Sequence, residues 1–252
     1  MNDLRGQIAV VTGSSRGIGA AIATLFAEAG AAVAVHGRDA DAVAAVTAQI
    51  GKAGGQALPV IADLTQYDQV EAMRASVEEA LGPAGIVVAN AGGNPVRPGP
   101  LEEISEAGWR ESVDVNLTTT FLTIKAFLPG MKQRHHGSII TMSSAAARRP
   151  TTASPMAYAA AKAGIEVLTR ELAAQAGPHG VRANCIAPET ILTERNRQLI
   201  PPAVQDQLRG SHPVRRLGTP GDVAQAALFL ASERSSWISG ITVDVAGGSV
   251  VA

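Results

Sequence analysis

The chain has 252 residues, 46% hydrophobic and 17% charged, with a formal net charge of −1. That is long enough for one large domain or two small ones and too apolar for a disordered chain, and the near-neutral balance excludes a nucleic-acid binder that works through a basic surface. The single cysteine, Cys185, excludes an internal disulfide and a multi-cysteine metal site and fits a reducing cytosol.

Short apolar runs alternate with helical patterns along the chain. The runs are IAVVT (8–12), AVAVH (32–36), ALPVIA (57–62), IVVAN (86–90), SIITM (138–142), VRANCIA (181–187) and ITVDV (241–245). Most are continuously apolar and rich in Val and Ile, which predicts strands buried on both faces of a parallel sheet. Between them, 18–29, 40–53, 68–81, 103–135, 156–176 and 220–231 read as helices. The alternation predicts a doubly wound α/β sheet and runs to the end, so residues 1–252 are read as one domain. The longest departure, 188–219, follows the sixth strand, where ligands bind in open sheets; it is expected to be a substrate lid. The start, MNDLRGQIAVVTGS, has no signal-peptide pattern, and no run of 18 apolar residues predicts a membrane span, so a cytoplasmic protein is expected.

The first strand runs into TGSSRGIG (12–19), then a helix. A strand–turn–helix of this kind points backbone N–H groups and the positive helix end at one place, which favours a phosphate. Gly13 and Gly17 permit the tight turn and close approach, and Gly19 permits helix–strand packing. The turn contacts are expected from Gly13, Ser15, Arg16, Gly17, Ile18 and Gly19. Residues 13–17 also fit GxSxG, the nucleophile elbow of hydrolases, but only a dozen residues precede it and no oxyanion loop can come from them.

The second strand should end near an adenosine ribose. An acid there would bond the ribose hydroxyls; the sequence has Gly37 and then Arg38. With Arg16 in reach, two guanidiniums suit a 2′-phosphate, so NADP(H) is favoured over NAD(H). The competing reading makes Arg38 a solvated loop residue and gives the acid's role to Asp39. Asp63-Leu64 closes the third strand, with Asp63 either on the adenine amino group or capping the next helix.

YAAAK (158–162) places Tyr158 and Lys162 on one helical face. An adjacent cation lowers a phenol's pKa, so Tyr158 is expected to act as a proton donor and acceptor beside a carbonyl while hydride arrives at carbon. Ser143-Ser144 ends the fifth strand, where a hydroxyl would meet the substrate oxygen, and Asn90-Ala91-Gly92 ends the fourth. Asn116 lies within a predicted helix, where Asn is a poor fit and is expected to loosen the turn and hold a water.

The set TGSSRGIG, DL (63–64), NAG (90–92), VNL (115–117), SS (143–144), YAAAK and ITVDVAGG resembles the short-chain dehydrogenase/reductase family, over nearly the whole chain. The resemblance implies a Rossmann-type doubly wound sheet of seven parallel strands flanked by helices. It implies a tetrad: Asn116 positions a water on Lys162, Lys162 binds the nicotinamide ribose and lowers the pKa of Tyr158, Ser144 holds the carbonyl, and Tyr158 donates the proton. Ser144 matches better than Ser143, and Thr193, with Thr190 its rival, matches the threonine that contacts the carboxamide. Pro188 keeps the family's pattern, but Glu189 stands where glycine is common. A small carbonyl or alcohol substrate is implied, a 3-oxoacyl thioester among the options, with Arg134, His135 and His179 as a modest basic entrance for an acidic carrier. A homo-oligomer, tetramer or dimer, is also implied, with Phe121, Ile124, Phe127 and Leu128 as one candidate face, although a face buried within one chain would look the same. A dinucleotide-binding sensor of the same fold is the alternative. His135-His136 reads as a solvated helix end, and Trp109 and Trp237 as packing residues.

Overall fold

The computed structural model describes residues 3–150 and 154–250. The expected strands are present: β1 (Ile8–Val11), β2 (Ala32–Gly37), β3 (Gln56–Ile61), β4 (Ile86–Ala89), β5 (Gly137–Met142), β6 (Val181–Pro188) and β7 (Thr242–Val245). They form one sheet of seven strands, ordered β3-β2-β1-β4-β5-β6-β7, with every pairing parallel. The order reverses direction between β1 and β4, so the segments that follow those two strands diverge and open a crevice.

Helices α1 (Gly17–Glu28), α2 (Ala40–Lys52), α3 (Tyr67–Ala80), α4 (Glu106–Val113), α5 (Thr119–Arg134), α6 (Ala145–Arg148), α7 (Met156–Ala176), α8 (Glu194–Leu199), α9 (Pro202–Ser211) and α10 (Pro220–Ala231) flank the sheet. Alternate strand residues feed different cores, which is why these runs have no polar face. Ala9 and Val11 join Ile22, Phe26 and Leu230 under α1 and α10. Val10 joins Met73, Phe127 and Leu172 under α3, α5 and α7.

The outer strands depart from the expected two-sided burial. Ile61 of β3 is 52% exposed, and no residue of β7 is fully buried. An edge strand has a neighbour on one side only. The stretch 103–135 is not one helix: α4 passes through a π-helical turn (Asp114–Thr118) into α5. The hydroxyls of Thr119, Thr120 and Thr123 bond back to carbonyls one turn earlier, a habit that bends helices. Residues 188–219 carry α8 and α9; a parallel bridge between Ile191 and Gly218 closes the segment at its base, and a 3.0 Å bond from Val214 N–H to the Gly247 carbonyl ties it to the body.

Two readings of apolar residues are corrected. Trp237 is 98% exposed and is not a packing residue in this chain, whereas Trp109, at 40%, is only partly covered. Of the candidate subunit face, Ile124 and Phe127 are buried in the chain's own core, and Phe121 alone is largely exposed, at 47%.

Candidate active site

The glycine turn is held from behind. The Ser14 hydroxyl donates to the Val11 carbonyl at 2.6 Å and accepts from the His36 N–H at 2.9 Å. The Asn90 amide donates to the carbonyls of Thr12 (2.9 Å) and Gly13 (3.1 Å), while the Thr12 hydroxyl accepts from the N–H groups of Asn90 and Ala91, both at 3.0 Å. Asn90 is thus a brace for the turn. A Cβ on Gly19 would lie 2.3 Å from the Gly13 carbonyl oxygen and 2.6 Å from the Asn90 amide nitrogen, so only glycine allows this packing. Gly13 and Gly17 have φ of +63° and +58°, in the left-handed region.

His36 completes the brace and was missed in the sequence, where it reads as the end of an apolar strand. Its Nδ1 accepts from the Gly13 N–H at 3.0 Å, and its Nε2 faces the Ala62 carbonyl at 3.1 Å, which assigns the proton to Nε2. Burial pushes its pKa down and keeps the ring neutral. With the back of the turn bonded, the first N–H groups of α1 have no helical partner. No side chain caps them and no acid lies in the first turn, whereas Asp39, Ser105 and Thr219 cap α2, α4 and α10. The donor set fits an anionic group.

At the far end of the cleft, a Cβ on Gly37 would fall 2.9 Å from the Ser15 hydroxyl and from Val43, so no acidic side chain fits there. Asp39 is the α2 N-cap, accepting from the Ala42 N–H at 3.1 Å, and it ion-pairs with Arg16. Asp39 is therefore engaged as the α2 cap, while Arg38 has no ion-pair partner among the described residues. Asp63 is not a helix cap: Gln66 is the N-cap of α3, and Asp63 Oδ1 accepts from the N–H (3.0 Å) and hydroxyl (2.8 Å) of Thr65, which holds its pKa down.

At the reacting end, α7 carries Tyr158 and Lys162 on one face, with the Lys162 ammonium 5.6 Å from the Tyr158 ring centre. The ammonium is buried and donates to the Met142 carbonyl at 2.8 Å. Burial lowers its pKa to about 8. Tyr158 differs from the sequence expectation. Burial raises its pKa, the hydrogen bond with the Ser144 hydroxyl opposes this, and Lys162 is not among the causes of the shift. Removing the phenol from water is the largest influence on it and outweighs the Ser144 hydrogen bond.

Ser143 faces away from Tyr158: its hydroxyl reaches the Lys162 carbonyl at 3.1 Å and Glu166 at 2.8 Å. Of the two serines, Ser144 is therefore the one beside the phenol. Asn116 is buried in the π-helical turn, as its poor helix propensity suggested. Its amide donates to the carbonyls of Gly93 (2.8 Å) and Ser112 (2.9 Å), and its oxygen accepts from the Gly93 N–H at 3.2 Å. The side chain clamps the loop after β4 to the helix. A Cβ on Gly92 would meet Asn116 Oδ1 at 2.7 Å and Lys162 Nζ at 3.3 Å, so the three converge.

These parts line one cleft of about 1320 Å³. Gly13, Ser15, Arg16, Gly17, Ile18, Gly19, Gly37, Arg38, Asp63, Leu64, Asn90, Ala91, Gly92, Ser144, Tyr158, Lys162, Pro188 and Thr193 all face it. Asn116 stands behind the wall. Thr193 caps α8 and lies over Gly17, 3.2 Å from where a Cβ would be; Thr190 gives its hydroxyl to Glu189 instead. Glu189 lines the cleft and pairs with Arg149 at 3.3 Å, so its charge is drawn toward the loop after α6.

The basic entrance is not at this site. Arg134 ends α5 and donates to the Ala84 carbonyl at 2.8 Å; the rings of His135 and His179 lie 6.1 Å apart. All three precede strands, whereas the cleft lies where parallel strands end. They sit near a separate cavity of about 470 Å³ at the opposite rim, lined by Gln7, Gly85, His136 and Arg182.

Residues 13–249 match the family model described as enoyl-(acyl carrier protein) reductase. The chain is 36% identical over 247 residues to a 7alpha-hydroxysteroid dehydrogenase of Escherichia coli K12, covering 98% of this chain and 95% of that one. The structure matches a 3-oxoacyl-[acyl-carrier protein] reductase with bound NAD from Brucella melitensis at a TM-score of 0.90, with 37% identity over 99% of this chain and 95% of the other. It also matches a gluconate 5-dehydrogenase from Burkholderia cenocepacia in complex with NADP and tartrate at 0.91, with 33% identity over 98% and 97%. With the motif order, the seven-stranded parallel sheet and whole-length relatives in agreement, the chain belongs to the short-chain dehydrogenase/reductase family of oxidoreductases, close to its 3-oxoacyl-[acyl-carrier-protein] reductases.

Proposed function

We propose that the protein is an NADP(H)-dependent oxidoreductase that interconverts a small carbonyl compound and its secondary alcohol. The observation that carries this reading is the joining of Tyr158, its Ser144 partner and buried Lys162 to the uncapped glycine turn in one cleft. A nicotinamide dinucleotide would be held by the glycine turn and Lys162 and would supply or accept the hydride. Ser144 donates a hydrogen bond to the carbonyl oxygen and orients it. Tyr158 passes its proton to that oxygen in reduction and takes it back in oxidation. Burial keeps the phenol protonated at neutral pH, so the resting enzyme is charged for reduction. Asn116 fixes the Gly92–Gly93 wall on which Lys162 rests. Residues 188–219, which bring Ile191, Thr193 and Arg195 to the cleft, act as its lid.

The preference for NADP(H) is supported by Gly37, which leaves no room for a ribose-binding acid, and by unpaired Arg38. Arg16 is available too, because its pair with Asp39 is solvent-exposed and such pairs contribute little. The test titrates NADPH and NADH against the purified protein and follows reduced-nicotinamide absorbance with ketoesters, diketones and quinones. NADPH is expected to bind more tightly, and Arg38→Ala to weaken it about tenfold while sparing NADH. Equal or better NADH binding overturns the preference, and binding without turnover across the panel overturns the enzyme reading in favour of a sensor.

A further inference from the structure

One charged cluster is not used by the chemistry above. Tyr158, Lys162 and Glu166 follow one another at four-residue intervals down a single stripe of α7. Glu166 is 6% exposed, and both its oxygens are engaged. Oε1 accepts from the Ser143 hydroxyl at 2.8 Å, and Oε2 accepts from Arg148 Nη1 at 3.2 Å. Arg148 is the last residue of α6, the short helix that Ser144 caps by accepting from the Ala146 N–H at 3.2 Å. Arg148 also forks onto Asp244 of β7 at 3.1 and 3.2 Å.

The contacts close a ring. The chain runs from Ser143 through Ser144 and α6 to Arg148; the ion pair crosses to Glu166; the hydrogen bond returns to Ser143. The Ser143 hydroxyl also reaches the Lys162 carbonyl at 3.1 Å, so the ring is stitched to α7 beside the ammonium. Ser143 and Ser144 both border the cleft, and Ser144 is the ring member hydrogen-bonded to Tyr158. The titratable groups around the ring are Lys162 and Glu166 on α7, Arg148 on α6, Cys185 on β6 and Asp244 on β7. Breaking a buried pair leaves an uncompensated charge, so the ring resists opening.

We propose that Glu166, Arg148 and Ser143 are positioning residues that hold the Ser144 hydroxyl against the Tyr158 phenol. Glu166 and Arg148 lie outside the cleft, and Ser143 borders it with its hydroxyl turned to Glu166 and the Lys162 carbonyl, in a reading that rests on the function proposed above. A hydroxyl displaced by about 1 Å loses its grip on the oxygen it orients. A misplacement of that size costs up to about a hundredfold in rate.

The test uses Ser143→Ala, which removes one hydroxyl and no charge, and Arg148→Met, which opens the ion pair. Asp244→Asn is the control, because it weakens the outer fork and leaves the ring closed. Ser143→Ala is expected to lower kcat about tenfold or more with cofactor Kd unchanged. A second readout needs no substrate. The chain has only two tyrosines, so in a Tyr67→Phe background isotope-labelled tyrosine reports on Tyr158 alone by NMR. The signal of its hydroxyl-bearing ring carbon is expected to move in Ser143→Ala and Arg148→Met toward the position seen in Ser144→Ala, and to stay in Asp244→Asn. Ser143→Ala carries the decision if Arg148→Met does not fold. A lowered Tm with unmoved signal and unmoved kcat would make the ring merely structural and overturn the proposal. Movement of the signal in a protein that turns over nothing would sustain the ring while sinking the enzyme reading.

Discussion

At the glycine turn, neutral groups do all the holding: Ser14, His36, Thr12 and Asn90 spend their polar atoms on backbone within hydrogen-bond reach. At the other end of the same cleft, a lysine ammonium is buried against one carbonyl, and a phenol is kept from water beside it. The first region gains stability from what it does, since satisfied buried polar groups rigidify a fold. The second gives stability up, since burying a charge is costly and the lowered Lys162 pKa is its signature. Binding surfaces can be built from well-bonded backbone; acid–base chemistry needs groups held away from their preferred state.

The sharpest break between the two ends should come from Tyr158→Phe. Turnover is expected to fall about 10²–10⁴-fold, with cofactor affinity and Tm nearly unchanged. A parallel loss of cofactor binding would mean that the two ends are not separable. Gly19→Ala should do the reverse. Its Cβ falls 2.3 Å from the Gly13 carbonyl oxygen, so stability should drop by about 1–3 kcal/mol and cofactor affinity with it, as read by thermal melts and titration.

Lys162→Met should abolish most turnover while raising stability by about 1–3 kcal/mol, because it removes a buried charge. The sign follows from linkage. The fold disfavours the ammonium, so between about 8 and the unbound value of 10.5 the unfolded chain holds more protons than the native one. Wild-type stability should therefore rise across that window, and the gap to Lys162→Met should close. Over the same interval kcat/KM for carbonyl reduction should fall as pH climbs past about 8. The smallest effect belongs to His36. Its depressed pKa means the unfolded chain takes up a proton first, so stability should decline as pH falls below 6.5. That slope should flatten in His36→Leu; an equal slope in both proteins would remove His36 from the brace.

Much of this was legible in the residues. Helices 156–176 and 220–231 have the bounds expected of them, helped by Pro155 ahead of α7 and the Thr219–Asp222 capping box of α10. The cleft residues were legible because glycines, Asn90 and YAAAK stand at strand ends or on helix faces, where chain order alone dictates position. Glu166 could have been found the same way, one turn beyond Lys162 on the same stripe. The break at 114–118 was legible only in part: Asn116 marked a loosened turn, but the clamp that shapes it depends on Asn116 reaching Gly93 in the loop after β4. Nor was the location of Arg134, His135 and His179, where a basic character was visible and the rim of the sheet was not.

The order of apolar runs and glycine turns was enough to determine a parallel doubly wound sheet, its crevice and the pair Tyr158–Lys162, because backbone periodicity and chain order are local properties. Tertiary structure alone decided that burial sets the direction of the Tyr158 shift, that Asp39 caps α2, and that Glu166 closes a ring behind Ser144. Those outcomes depend on solvent exclusion and on charges brought together from distant parts of the chain, which no window of sequence contains.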